Sequence, residues 1–487
     1  MSKLEVLKDK KLESQKVFDY FEEIAAIPHG SKNTKQISDY LVEFAKAHAL
    51  EYYQDEANNI VMIQEATAGY ENASPIIIQG HMDMVCEKES DCDIDFEKDG
   101  LDLYIDGDFL KARGTTLGGD DGIAVAYALA IMDTPEIAHP RLEVVITVDE
   151  EIGMLGAEVI DLSMLKGHKL LNIDSDVEGH FLTSCAGGMT VETTIPVNYM
   201  AQRGLSVMVT VTGLSGGHSG AEIDKEHANA NIVMGRVLKY VSDRMEMGIV
   251  SLAGGLKDNA IPRESKAEIL IPTEKKEELA EYLKEMEIVL KKEFEASDSG
   301  ICIVTEYGEE KEAQILSYNA MARVIFYLRN VPDGVQHMSR VMLGLVETSL
   351  NLGILELKED ALCAITSVRS SVSTRKEELR DRLEHMAEFL GGEIAVSGDY
   401  PAWEYKSDSD IRETISAVYQ ELFDEEPVFE AIHAGLECGI LSGKIADLDC
   451  VSFGPNNYDI HTPKERLSIS STEKVWKLLK EFLKRCN

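Results

Sequence analysis

The chain has 487 residues, 44% of them hydrophobic, which is enough to bury a large core and too long for one ordinary compact domain, so two domains are expected. With 48 Lys and Arg against 87 Asp and Glu, the formal charge of -39 argues against nucleic acid and anionic membrane surfaces as partners, because such a field repels both. A disordered acidic chain would carry a similar charge, but apolar periodic segments run through most of this one and no long single-sign block interrupts them.

Residues 1–15 are polar and Lys-rich, without the apolar run of a secretory signal, so a cytoplasmic protein is expected. Ile37, Leu41 and Phe44 fall at helical spacing, and residues 59–64 read as a short strand. Residues 75–79 and 142–147 are β-branched runs separated by a helix candidate at 124–132, the order of buried strands in an α/β sheet; 170–173 continues the series. The apolar stretch 122–132 is the longest without a charge and falls short of the roughly 18 residues of a membrane span.

After Gly187 and Gly188 the texture changes: a strand at 206–212, a helix at 226–240, a strand at 267–271, then a helix with Thr273 as its N-cap. That helix places Leu279, Tyr282, Leu283, Met286 and Leu290 on one face. A similar strand and helix order recurs over 301–390, which suggests two related halves. Residues 398–403 punctuate the end of this insert, and the final helix is expected to carry a capping box of Ser470 and Glu473. The predicted fold class is α/β: residues 1-186 and 400-487 form one domain around a central, mostly parallel sheet, and 187-399 form an inserted α+β domain. Eight cysteines, without a Cys-x-x-Cys pair or regular framework, read as reduced structural thiols.

His81 and Asp83 stand two apart at the end of an apolar strand, where both point to one face. They read either as a metal-binding imidazole oriented by a carboxylate or as a satisfied polar strand end. The glycines around Asp120 and Asp121 permit an unusual turn, and the adjacent carboxylates repel unless a cation or proton stabilises them; a solvated Asp-Gly turn is the alternative. Asp149, Glu150 and Glu151 follow a β-branched strand directly, a costly arrangement without nearby positive charge. Asp174 and Asp176 end the next strand, and His461 precedes Thr462 and Pro463. Ligands gathered at successive strand ends point to one site, because α/β sheets build sites at the carboxyl ends of their strands. His and carboxylate donors suit zinc, with cobalt or manganese as alternatives.

With these motifs in this order, essentially the whole chain resembles the M20 family of metallopeptidases, in particular its aminoacyl-histidine (cytosol nonspecific) dipeptidase subgroup. The resemblance implies a zinc-peptidase-like catalytic domain with an inserted lid, and two divalent metal ions. It implies His81 and Asp174 as ligands of one metal, Glu151 and His461 as ligands of the other, Asp120 as the bridge, Asp83 as the group that orients His81, and Glu150 as general base. Asp174 is followed by Ser175 and Asp176 where many members have a Gly pair, and Gly119 stands where Ala is frequent. His218, in a Gly-rich loop, is similar to the lid histidine that binds the substrate carbonyl. Asn259 and Arg369 resemble positions that bind the peptide carboxylate, for which a guanidinium is suited. His433 and Glu437, in the segment returning to the catalytic domain, are expected to line the pocket, with packing or turn roles as the alternative; the other readings are a hydrogen-bonded loop His for His218, a turn Asn for Asn259 and a surface Arg for Arg369.

The function implied is hydrolysis of unblocked dipeptides, including Xaa-His and β-alanyl-histidine, in the cytosol, by a homodimer or by a single chain whose duplicated lid fills the partner's place. Its rivals are an N-acyl-amino-acid deacylase or carboxypeptidase of the same architecture, a noncatalytic metal-binding protein, and a dinuclear phosphoesterase, which the acidic field and the lack of a phosphate-cradling Gly-Lys loop disfavour.

Overall fold

The structure, a computed structural model, describes Leu4, Leu7 and residues 10–486; the expectation drawn from the polar opening falls partly outside them. The chain divides into two compact units: Met1–Ser184 with Tyr405–Ala431 and Leu436–Asn487, and Cys185–Glu404 with Ile432–Gly435. Residues 432–435, expected in the segment returning to the catalytic domain, group with the second unit instead. The Ala186 N–H donates to the carbonyls of Ile432 and Ala434 at 3.2 and 3.1 Å, which ties the segment there.

In the first unit, strands β1 (Glu51–Gln54), β2 (Ile60–Gln64), β3 (Ile76–His81), β4 (Leu142–Thr147), β5 (Lys169–Asn172), β6 (His180–Cys185), β7 (Val428–Ile432) and β8 (Asp449–Ser452) form one sheet in the order β1-β2-β4-β3-β5-β8-β6-β7. The central strands β4, β3, β5 and β8 are parallel, whereas β1–β2, β2–β4 and β8–β6 pair antiparallel. The sheet expected to be mostly parallel is therefore mixed. Its apolar central strands are buried along their length, as strands covered on both faces must be. Helix α1 (Gly119–Met132) is apolar on every side from Ile123 onward and buried almost throughout, the signature of a helix inside a core. Its Tyr127 ring lies 6.4 Å from Trp476 in a stacked pair, and the Tyr127 hydroxyl donates to the Thr472 carbonyl at 2.9 Å.

Parallel alignment puts the ends of β3, β4 and β5 on one sheet edge: His81 pairs with Thr147, and Gln79 with Asn172. A smaller sheet runs Asn457–Tyr458, Arg466–Ser468, Phe109–Ala112, Leu103–Asp106. It docks the loop that carries His461 against the strand leading to the Asp120 turn.

The expected helix caps move. The terminal helix Ile469–Arg485 takes Ser468 as N-cap, its hydroxyl accepting from the Ser471 N–H at 3.2 Å. Glu473 instead accepts from the Ser14 N–H and hydroxyl at 2.9 and 2.6 Å, so a long-range partner displaces the capping box. Thr273 opens a short 3-10 turn ahead of helix Lys276–Glu293 and makes no capping hydrogen bond.

The second unit is an antiparallel sheet whose strands alternate in burial where one face meets helices, as in Ser265–Ile271. Helices Ala230–Ser242, Lys276–Glu293, Tyr318–Asn330 and Ser373–Phe389 cover it through a core that includes Val209, Met234, Leu283, Leu352 and Leu383. Among the described residues no helix is long and apolar enough to cross a membrane.

Buried Asn59 clamps the loop after β4 that carries Glu150 and Glu151. Its side-chain oxygen accepts from the Val148 N–H at 3.0 Å, and its amide donates to the Gly156 carbonyl at 3.1 Å and to Asp55 at 2.7 Å. Asn59→Ala strands the Val148 N–H, while the Gly156 carbonyl keeps the Ile160 N–H; one such orphan costs about 1–3 kcal/mol, so a stability loss of about 1 kcal/mol or more is expected in urea unfolding. A loss below about 0.5 kcal/mol would show that the loop does not depend on this clamp.

Candidate metal centre

The edge shared by β3, β4 and β5 collects the residues the sequence singled out. His81 closes β3; its Nδ1 donates to the Asp83 carbonyl at 3.0 Å and lies 3.4 Å from Asp83 Oδ1. With that proton fixed on Nδ1, Nε2 is the nitrogen left to face Asp120, and the one that would give its lone pair to a metal once deprotonated. Asp83 is itself held on three sides: Oδ2 accepts from Ser31 Oγ at 2.8 Å, and Oδ1 accepts from the Glu150 N–H at 3.1 Å. Burial alone would raise the Asp83 carboxyl, but His81, Ser31 and that amide hold it below the usual carboxylate range.

Asp120 divides its carboxylate between two imidazoles. Oδ1 lies 3.1 Å from His81 Nε2, and Oδ2 lies 3.2 Å from His461 Nε2. His461 Nε2 also lies 3.0 Å from Glu151 Oε2, while His81 Nε2 lies 3.7 Å from Asp174 and 3.9 Å from Glu150. Two overlapping groups, His81 with Asp120 and Glu151 and His81 with Asp121 and Asp174, have donor atoms all within 4.8 Å of one another.

Among the described residues no lysine or arginine pairs with these carboxylates; the counter-charges facing them are the two imidazoles. Hydrogen bonds from Asp120 and Glu151 lift His461 to about 10. Burial would lower His81, yet Asp120, Asp174 and Asp83 raise it well above its ordinary value. Burial, reinforced by Asp120 and Glu151, pushes Asp174 up to about 6. Burial likewise raises Glu150 well above the ordinary range. The donor set is short of positive charge, and its two donor groups share His81. His and carboxylate donors so arranged fit divalent metal, zinc among the ions they suit. Asp149 and His461 both adopt positive φ, 55° and 60°, a left-handed conformation that Asp and His enter more readily than most residues with a side chain.

Two positions differ from expectation or were missed. Asp121 joins the His81 and Asp174 group, and its Oδ2 accepts from the His81 N–H at 3.2 Å; the adjacent carboxylates were visible in the sequence, but not that both turn inward. Ser31 carries no chemical signal in sequence and is legible only from its contact with Asp83. Asp176, which follows the Asp174 strand end, belongs to neither donor group.

Glu437 and His433, expected to line one pocket, fall in different units. Glu437 is fully buried, its Oε2 accepting from Gln79 Nε2 at 2.5 Å and Thr147 Oγ1 at 2.6 Å, and burial lifts it to about 7. It props the residues beneath the ends of β3 and β4.

The second unit gathers the remaining candidates. His218 Nδ1 accepts from the N–H groups of Gly220 and Ala221 at 3.1 and 3.0 Å, so the proton sits on Nε2 as a donor; burial and Arg369 lower its pKa. A methyl placed on Gly220 would meet the His433 carbonyl at 2.7 Å, His218 Cε1 at 3.1 Å and Arg369 Nε at 3.3 Å, which shows how tightly these three converge. Arg369 donates to the Tyr400 hydroxyl at 3.2 Å, while its Nε and His433 Nδ1 are buried without a partner. Asn259 stands exposed on the neighbouring turn, its carbonyl accepting from the Ser219 N–H at 2.9 Å.

Residues 77–485 match peptidase family M20/M25/M40. The chain is 34% identical over 475 residues to the cytosol non-specific dipeptidase of Escherichia coli (strain K12), covering 97% of this chain and 98% of that one. The crystal structure of aminoacylhistidine dipeptidase from Vibrio alginolyticus superposes with a TM-score of 0.90 at 35% identity, over 97% of both chains. Aminopeptidase PepT from Bacillus cereus, at 14% identity and a TM-score of 0.56 over 98% of this chain and 99% of that one, shares the fold.

His433 sets an expected pH response of the second unit. Burial and the Arg369 guanidinium push its pKa down to about 3 from 6.5. Between those values the folded chain binds fewer protons than the unfolded one, so this contribution to stability rises with pH and is complete above the unfolded pKa. As pH falls from about 6.5 towards 3, the residue is expected to cost up to about 1.4 kcal/mol per pH unit. Denaturation midpoints of wild type and His433→Asn across that range check this; equal slopes would show that His433 titrates alike folded and unfolded.

Proposed function

The chain belongs to peptidase family M20/M25/M40, a hydrolase acting on peptide bonds, and from that membership we propose that it is a cytosolic dipeptidase that cleaves unblocked dipeptides, Xaa-His among them. The observation that carries the metal chemistry is the Asp120 carboxylate shared between His81 and His461. His81 and Asp174 would hold one divalent ion, Glu151 and His461 the other, and Asp120 both; the donors suit zinc, with cobalt or manganese as alternatives. When bound, such a pair supplies Lewis acidity that polarises a carbonyl and acidifies water.

The remaining work falls to side chains. Glu150, on the loop that follows β4 and 3.9 Å from His81 Nε2, takes a proton from the attacking water and returns it to the leaving amine. Asp83 fixes the His81 tautomer through the Nδ1 contact. The Nε2 proton of His218, held by two backbone amides on the opposite nitrogen, is oriented for a substrate carbonyl and its developing charge. Arg369, with a buried Nε that finds no acceptor among the described residues, is assigned to the substrate carboxylate, and Asn259 and His433 to substrate binding as well. Glu437 supports the strand ends through Gln79 and Thr147. The dipeptidase reading is further supported by the full-length likeness to a cytosol non-specific dipeptidase and an aminoacylhistidine dipeptidase.

Metal-stripped enzyme, with and without added zinc, cobalt or manganese, is expected to release amino acids from unblocked dipeptides only when metal is restored. Preference for N-acyl amino acids would make it a deacylase, release from the C-terminus of longer peptides a carboxypeptidase, and inactivity throughout a noncatalytic metal-binding protein. Glu150→Gln should keep its metal yet lose turnover by about 100-fold or more; near-normal turnover in the metal-replete variant would remove Glu150 from the role.

A further inference from the structure

Glu465 lies outside every motif that points to the metal centre, and it is almost completely buried, 3% exposed. Its carboxylate collects N–H donors from two directions. Oε2 accepts from the backbone of Leu117 at 2.6 Å and Gly118 at 3.1 Å; Oε1 accepts from Gly119 at 2.9 Å and Asp120 at 3.4 Å, and from Asn457 Nδ2 at 3.0 Å. Successive backbone amides turned inward at the start of a helix form a cradle for an anion. Here the anion is the protein's own side chain.

The two ends of this contact matter. The cradle is the turn that delivers Asp120, whose own N–H is one of the donors. Glu465 sits on the hairpin that delivers His461, where its N–H donates to the Thr462 carbonyl at 3.1 Å. One buried carboxylate therefore joins the element bearing the shared carboxylate to the element bearing one imidazole, without contacting either functional group. The fit is close: a methyl on Gly119 would fall 2.8 Å from Asn457 Nδ2 and 3.1 Å from Glu465 Oε1, so this side chain pair requires glycine there.

We propose that Glu465 is a positioning residue of the metal centre, fixing Asp120 and His461 at the separation two divalent ions require by anchoring the Asp120 turn to the His461 hairpin. The inference rests on the dinuclear reading given above. Neutralising the carboxylate sets an N–H2 group against backbone N–H donors that have no other acceptor among the described residues, so the turn must shift, and Asp120 with it. Outer contacts of this kind typically change metal affinity about 10- to 100-fold.

Metal-stripped wild type and Glu465→Gln, each first checked for native circular dichroism, are titrated with zinc against a chromogenic chelator and with cobalt while visible absorption is recorded. Wild type is expected to take up two ions per chain, and the variant to bind about 10- to 100-fold more weakly with an altered cobalt spectrum. A folded Glu465→Gln chain with wild-type zinc affinity and cobalt spectrum overturns the inference. A wild type that binds no metal instead overturns the dinuclear reading itself. If Glu465→Gln does not fold, Gly119→Ala takes its place, since the added methyl displaces the turn from Glu465 while leaving the carboxylate; weakened zinc binding with a changed cobalt spectrum supports the inference, and unchanged binding overturns it.

Discussion

Carboxylates crowd one sheet edge with too few cations to balance them, and much of the first unit is arranged around that imbalance. Asp120 faces two imidazoles at once, Asp174 and Glu150 have their pKa values driven up, and His81 and His461 have theirs raised in return. Burying like charges together is expensive unless opposite charge or fixed donors accompany them. Divalent ions resolve the cost directly, and the peptidase family supplies the chemistry they would serve.

The scaffold meets the demand by rigidity. Parallel central strands bring three strand ends to one edge, an all-apolar helix packs inside the core with its first turn left for Asp120 and Asp121, and buried polar side chains lock the loops. Asn59 holds the turn after β4, Asp83 spans from His81 to the Glu150 amide, and Glu437 ties Gln79 to Thr147. Each of these side chains is buried and hydrogen-bonded through at least one polar atom, which orders the loop or strand ends it joins. In the second unit, the backbone amides on His218 Nδ1 and the unpaired Arg369 Nε give fixed donors without metal ligands.

The candidate ligands were legible in sequence because the chemistry needs particular residue types, and strand ends are marked by β-branched runs that stop at charged residues. The long helices and central strands were legible for the same reason: hydrophobic period reports local geometry. Caps were less secure. Ser470 and Glu473 have the spacing of a capping box, yet Glu473 bonds to Ser14, far away in the chain, and no local pattern encodes such a competitor.

Residue type and chain order were thus sufficient for the α/β class, the inserted second unit, and the set of His, Asp and Glu side chains that converge. Folding alone decided which antiparallel strands flank the parallel core, that residues 432–435 join the second unit, that Asp121 turns inward beside Asp120, that Ser31 meets Asp83, and that Glu465 accepts from the backbone of the Asp120 turn. The physical reason is common to all of them. Periodicity and ligand chemistry act within a few residues of chain, whereas a buried carboxylate's hydrogen bonds are made wherever packing brings donors together, and that distance in sequence has no signature.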